Sequence, residues 1–306
     1  MDREQIIKKI NEILKTGVTQ SSIAKSIGKS EASISTYLKG TFDGNIENFE
    51  KLLIGYINKI ELSKPSRDFI RTKDATCILG ICNSCQRLEQ LGLVYGRSGF
   101  GKTTTLKRYA DSTDKVVYIV CNSLMNTNDI IKRIAVTLGL KGLVGSKDER
   151  IAKIKEFFKY NKGYLLIFDE ADKLLNKDTI SKLDVIKTIY DEVDGDGVGV
   201  VLAGEQHLKT KLGLYFEMVR NRGDLEWELK GLSREEVEAY LKDIKITPKA
   251  LEELVLRATN ENNGCFRTLN RTFKSVERLF EDKEKDIETE EIGLEDIKSA
   301  CILMPK

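Results

Sequence analysis

An α/β fold with a parallel sheet, preceded by an all-α domain and followed by a second helical region, is what this 306-residue sequence predicts. Three observations predict it. Strand-like apolar runs alternate with helix-like stretches between residues 91 and 229. The first of those runs leads into a glycine-rich octapeptide that opens into a helix. Before residue 65 and after residue 232 the strand character disappears and helix caps take over.

The first sixty residues read as four short helices. Ile6, Ile7, Ile10, Ile13 and Leu14 form one apolar stripe, and Phe49, Leu52, Leu53, Tyr56, Ile57 and Ile60 form another. Between them Thr19 caps a helix through Ile23, Ala24 and Ile27, Gly28 ends it, and Ser30 caps the next, which carries Ile34, Tyr37 and Leu38. This succession, from Thr19-Gln20 to Leu38 and Gly40, resembles the helix-turn-helix of phage repressors. The resemblance implies a DNA-binding domain over residues 1–62, with Gln20, Ser30, Glu31, Ser33 and Thr36 near base edges or phosphates and Lys29 and Lys39 on the backbone. Ten basic against eight acidic side chains in residues 1–64 leave only +2, so a small helical adaptor is the alternative.

Residues 63–75 are polar, contain Pro65 and read as a linker. A core over 76–231 follows. Its strands are Leu91–Tyr95, Val116–Val120, Tyr164–Phe168, Val198–Ala203 and Leu225–Leu229, separated by helices that include 129–138, 149–160 and 180–193. Continuous apolar strands of this kind imply a parallel sheet covered on both faces.

The octapeptide Gly96-Arg97-Ser98-Gly99-Phe100-Gly101-Lys102-Thr103, followed by Thr104, has the spacing and setting of a P-loop. Glycines let successive backbone N–H groups face one anion, and the following helix adds its positive dipole end. Lys102 is placed to reach the β- and γ-phosphates of a nucleoside triphosphate, and Thr103 to hold Mg²⁺. Some sixty residues on, Tyr164–Phe168 ends in Asp169-Glu170-Ala171-Asp172, a Walker B form. Asp169 is the candidate Mg²⁺ ligand through water, and Glu170 the candidate base that orients and deprotonates the attacking water.

From 232 to 306 the sequence predicts a helical lid. Ser233-Arg234-Glu235-Glu236 is a capping box, Thr247-Pro248 starts a helix, and Gly264 precedes another through Arg267, Leu269 and Phe273. The acidic stretch 281–291 reads as a solvated face or loop, with an apolar helix expected at 297–303.

Composition narrows the class. Fifty basic and 48 acidic residues give a net charge of +2, so any DNA site must be local. No apolar run approaches the roughly 18 to 20 residues of a membrane span, and the charged start Met1-Asp2-Arg3-Glu4 does not open a secretory signal; the cytoplasm is the expected location. Six cysteines lack a paired framework, and the lone Cys82-Asn-Ser-Cys85 is expected to be a pair of reduced helix thiols.

Together these motifs resemble the AAA+ ATPases, and their order resembles the phage Mu transposition protein B family: helix-turn-helix, short linker, compact core, small lid. The local marks also include Val201 to Gly204 and Phe266-Arg267-Thr268-Leu269-Asn270. The resemblance implies an ATPase, stimulated by double-stranded DNA, that binds DNA with little sequence preference and assembles with itself head to tail. It would deliver target DNA to, or activate, a transposase, with hydrolysis driving disassembly. It assigns Arg220 and Arg222 to the arginine-finger region, Arg267 to sensor 2 and Glu205 to sensor 1. It also suggests Lys132, Arg133, Lys141, Lys147 and Arg150 as DNA contacts. Glu205 departs from the uncharged residue expected at its position, because a carboxylate facing a γ-phosphate repels it unless protonated or turned away; Gln206 is the alternative, or hydrolysis is slow. A second reading is a transcriptional regulator switched by ATP, with slow or absent hydrolysis.

Overall fold

The computed structural model describes residues 3–15, 18–63, 69–140, 142–175, 181–191, 197–216, 225–260, 264–285, 287 and 290–302. The chain divides into two compact units, residues 1–66 with 111–114, and residues 67–110 with 115–306.

The first unit contains α1 (Arg3–Lys15), α2 (Gln20–Ser26), α3 (Glu31–Leu38) and α4 (Ile46–Ser63). The Thr19 hydroxyl accepts the Ser22 N–H at 3.1 Å and the Ser30 hydroxyl accepts the Ser33 N–H at 3.2 Å, so both helix starts are fixed by the residues expected to cap them. Ile6, Ile10, Ile23, Ile34, Tyr37, Leu53 and Ile57 fill the core. Phe42, which no helix stripe contains, stacks on Phe49 with ring centroids 4.4 Å apart.

The second unit opens with α5 (Lys73–Leu88), which starts inside the expected linker because Thr72 accepts the Ala75 N–H at 3.0 Å and nucleates the helix. Likewise α4 continues to Ser63, the first residue of the expected linker. Five parallel strands follow: β1 (Leu91–Tyr95), β2 (Val116–Val120), β3 (Leu165–Asp169), β4 (Gly199–Gly204) and β5 (Leu225–Glu228), in the order β2-β3-β4-β1-β5. Between them lie α6 (Lys102–Ser112), α7 (Thr127–Thr137), α8 (Lys147–Tyr160), a short 3-10 helix (Ala171–Leu174), α9 (Ser181–Asp191) and α10 (Gln206–Phe216).

Every residue of β1, β3 and β4 is buried, as a sheet covered on both faces requires. Leu93, Phe168, Leu202 and Leu166 face a core shared with Ile130, Ile134 and Phe158. Val94, Ile167, Val201 and Ala203 face the opposite core, with Ile78, Cys82, Cys85 and Leu106. The insertion of β3 and β4 beside β1 brings the loops after these three strands to one edge of the sheet, where ligands of open parallel sheets bind.

Asp74 anchors α5 to the far side of the sheet. It is 4% exposed, and its carboxylate accepts the Trp227 indole N–H at 2.9 Å and the backbone N–H groups of Lys230 and Gly231 at 3.0 and 2.8 Å. A buried carboxylate is tolerated when such donors surround it.

The lid comprises α11 (Arg234–Leu241), α12 (Pro248–Thr259), α13 (Phe266–Asp282) and α14 (Leu294–Ala300), around Val237, Leu254, Leu269, Phe273, Phe280 and Ile297. The last helix begins three residues before the expected 297, because Asp296 accepts the Gly293 N–H at 3.0 Å and caps it there.

Candidate nucleotide-binding site

A cleft of about 450 Å³ lies between the loop after β1, the turn after β3, the tip of β4 and the start of α13. Ser98, Gly99, Gly101, Lys102, Thr103 and Thr104 line its floor. Gly99 has φ +86°, and a Cβ there would lie 2.7 Å from the Cys265 sulfur, so the loop can hold this path under the lid only with glycine. The Lys102 ammonium donates to the carbonyls of Gly96 and Arg97 at 2.5 and 2.9 Å, folded back over its own loop. Burial holds its pKa below the ordinary value, while Asp169, Glu205 and Asp172 pull it upward.

Gly96, Arg97 and Phe100, also expected at the nucleotide, do not line this cleft. The Arg97 guanidinium lies 5.8 Å from the centre of the Phe100 ring. Phe100 lines an adjoining apolar recess with Phe69, Ile70, Ala75, Leu232 and Phe266.

The opposite wall is acidic. Asp169 is 1% exposed at the end of β3. Its two oxygens accept the Glu170 N–H at 2.8 Å and the Tyr118 hydroxyl at 2.8 Å. Glu170 adopts φ +56°, unusual for a residue with a side chain, and this turn starts the 3-10 helix. Its carboxylate accepts a short hydrogen bond from Lys173, whose pKa is raised by that bond. Beside Asp169 lies Cys121, whose thiol burial pushes up to about 12. Cys82 and Cys85 are buried free thiols on α5.

At the tip of β4 the Glu205 N–H donates to Asp172 at 3.1 Å. The Glu205 side chain is 54% exposed and lies 3.9 Å from His207 Nδ1, while His207 Nε2 lies 3.4 Å from Asp172. Glu205 lines the cleft, whereas Gln206 turns out and donates to Glu228 at 3.4 Å. The lid closes the cleft from above: Arg267 Nη1 donates to the Ser98 hydroxyl at 3.1 Å.

The cleft therefore has a backbone cradle, two ammonium groups, one guanidinium, two buried carboxylates and the Thr103 hydroxyl, a donor set that fits a triphosphate and a hard cation bound through oxygen. The AAA domain family matches residues 86–212, from the end of α5 through the P-loop and Asp169 to α10. This core is similar to an AAA domain. Over 213 residues the chain is 28% identical to the Mu-like prophage FluMu DNA transposition protein B of Haemophilus influenzae, covering 68% of this chain and 71% of that protein. Its fold is similar to that of Cdc6p from Pyrobaculum aerophilum, with a TM-score of 0.60, 19% identity and coverage of 79% and 70% of the two chains. It is also similar to the Aeropyrum pernix ORC1 protein, solved in complex with DNA, with a TM-score of 0.55, 17% identity and coverage of 81% and 69%.

The AAA fold carries the DNA candidates away from the cleft. Lys132 and Arg133 lie on exposed turns of α7, and Lys147 begins α8. Two of the arginines are engaged internally: Arg133 donates to the Val120 carbonyl at 3.0 Å, and Arg150 to Asn128 Oδ1 at 2.9 Å. Lys141, Arg220 and Arg222 lie outside the described residues. In the N-terminal unit Ser30 and Glu31 are exposed, Gln20 and Ser33 half-buried, and Thr36 donates to the Ala32 carbonyl at 2.9 Å.

Sequence reasoning missed Tyr118 and Lys173. Tyr118 was legible as the one polar tip in the run Val116–Val120, but its target depends on β2 lying beside β3, with Tyr118 opposite Ile167. No helix of the described residues is long and apolar enough to cross a membrane.

Proposed function

We propose that this protein is an ATPase that binds double-stranded DNA with little sequence preference, assembles on it as oligomers or filaments, and delivers that DNA to, or activates, a transposase. The observation that carries this reading is the convergence of Lys102, Asp169, Glu170 and Arg267 on one cleft, in a chain similar along most of its length to a DNA transposition protein B.

ATP would enter with its phosphates in the loop 96–103 and its base toward the apolar recess of Phe69, Phe100 and Phe266. Lys102 exchanges the carbonyls of Gly96 and Arg97 for phosphate oxygens, a change from neutral to charged acceptors. Thr103 and Asp169 would hold Mg²⁺, which when bound offsets charge on the β- and γ-phosphates. Glu170 takes the proton from the attacking water once its carboxylate leaves Lys173. Arg267 lies on the lid, so its contact to the phosphates would join lid position to nucleotide state. Arg220 or Arg222 of a neighbouring molecule would complete the site; an interface of this head-to-tail kind gives rings when it closes and filaments when it does not.

Binding of duplex DNA, measured with ATP, ADP and no nucleotide, together with electron microscopy of the same mixtures, tests the reading. ATP-dependent binding that weakens steeply with salt and coincides with oligomers is expected. A single tight operator bound without ATP overturns it in favour of the regulator.

A further inference from the structure

Helix α13 presents two faces of opposite character. Leu269, Thr272, Phe273, Val276 and Phe280 are buried in the lid core. On the other side Arg267, Arg271, Lys274 and Arg278 are all exposed. Their spacing of four, three and four residues sets them in one straight stripe. Arg267 is occupied at the nucleotide cleft through Ser98. The other three have no assigned role.

Several other cations of the lid are paired. Arg234 pairs with Glu238 and Glu252, Arg257 with Glu253 at 2.7 Å, and Lys283 with Asp296 at 3.3 Å. Among the described residues Arg271, Lys274 and Arg278 meet no carboxylate within ion-pair distance, although Glu277 and Glu281 belong to the same helix. Three unpaired charges held in a row on a rigid helix repel one another, and a polyanion relieves that repulsion.

We propose that this stripe is a binding surface for the phosphate backbone of duplex DNA. From Arg271 to Arg278 it spans about 10 Å of helix axis, a length over which duplex DNA carries several phosphates, at one charge per roughly 1.7 Å. The stripe holds no exposed large apolar side chain, the anchor that a protein partner would need. Backbone contacts of this kind carry no sequence information, in keeping with nonspecific binding. Because the same helix begins with Arg267 against the P-loop, DNA held there would bear on the lid position that nucleotide also sets. The inference rests on the DNA-binding reading above.

The test uses the full chain, a duplex of about 40 base pairs and saturating ATP, with DNA affinity titrated against salt. For Arg271→Gln/Lys274→Gln/Arg278→Gln the slope of log affinity against log salt should be shallower than wild type by about 2 to 3, since each lost phosphate contact removes about 0.9. Lys274→Gln alone should remove about 1, and ATP affinity should stay at the wild-type value in both. A wild-type slope in the triple variant overturns the stripe while leaving the DNA reading intact. Failure of the wild-type protein to bind duplex at any salt overturns both. If the triple variant does not fold, the single variant decides: an unchanged slope there refutes the stripe.

Discussion

Asp172 accepts the backbone N–H of Glu205 at 3.1 Å, tying the turn after β3 to the tip of β4. The same carboxylate lies so close to Gly204 that a Cβ on that glycine would collide with it and would also meet Leu208 at 2.9 Å. The position of Glu205 in the cleft is thus set through its backbone, and its side chain stands half in solvent beside His207. Asp172→Ala leaves the Glu205 N–H without this acceptor and should cost about 1 to 3 kcal/mol. Gly204→Ala should cost a similar ~1 to 3 kcal/mol by overpacking. Urea unfolding of both variants checks this; wild-type stability in both would remove the tie.

Lys102→Ala removes the ammonium that faces the phosphates. Loss of a charge-assisted hydrogen bond costs about 1.5 to 3 kcal/mol, so ATP affinity should fall roughly 10- to 150-fold. Titration calorimetry measures it. The lowered pKa of Lys102 adds a pH dependence. Between its folded value and 10.5 the unfolded chain keeps a proton that the folded chain releases, so the contribution of this group to stability rises with pH in that window. ATP affinity should move the other way, falling as pH rises from below the ordinary lysine range, because the neutral amine no longer pairs with phosphate.

Glu170→Gln keeps the size of the side chain and removes the base. Hydrolysis should drop by about 10² to 10⁴, while ATP binding persists and the ATP-bound state accumulates. Single-turnover kinetics separate the two. Normal turnover would assign the base elsewhere.

Tyr118→Phe removes the hydroxyl that orients Asp169 from the neighbouring strand. An ordinary hydrogen bond contributes about 0.5 to 1.5 kcal/mol, so the Mg²⁺ concentration for half-maximal hydrolysis should rise roughly 2- to 10-fold. Nucleotide affinity without Mg²⁺ should not change. An equal fall in both would make Tyr118 a packing residue only.

Asp74→Ala strips the acceptor from the Trp227 indole and from the N–H groups of Lys230 and Gly231 at once. At about 1 to 3 kcal/mol for each unsatisfied buried donor, the loss should be at least ~3 kcal/mol. Chemical denaturation measures it, and a cost below 1 kcal/mol would show that water replaces the carboxylate.

Elements whose causes are local follow from the order of a few neighbouring residues. Thr19, Ser30, Ser146 and Ser233 each accept the N–H three residues on, and such caps act within one helical turn. The P-loop and the acidic end of β3 were legible for the same reason, since their spacing is set by a few successive residues. Contacts that depend on strand order and lid packing arise in the folded chain. Tyr118 reaches Asp169 across 51 residues, Trp227 reaches Asp74 across 153, and Arg267 reaches Ser98 across 169. None of these contacts follows from periodicity, because they exist only once β2 lies beside β3, α5 packs against β5 and α13 closes over the loop after β1. The same holds for the face of α13: its helical period was readable, but that Arg271, Lys274 and Arg278 meet no carboxylate among the described residues depended on how the lid packs.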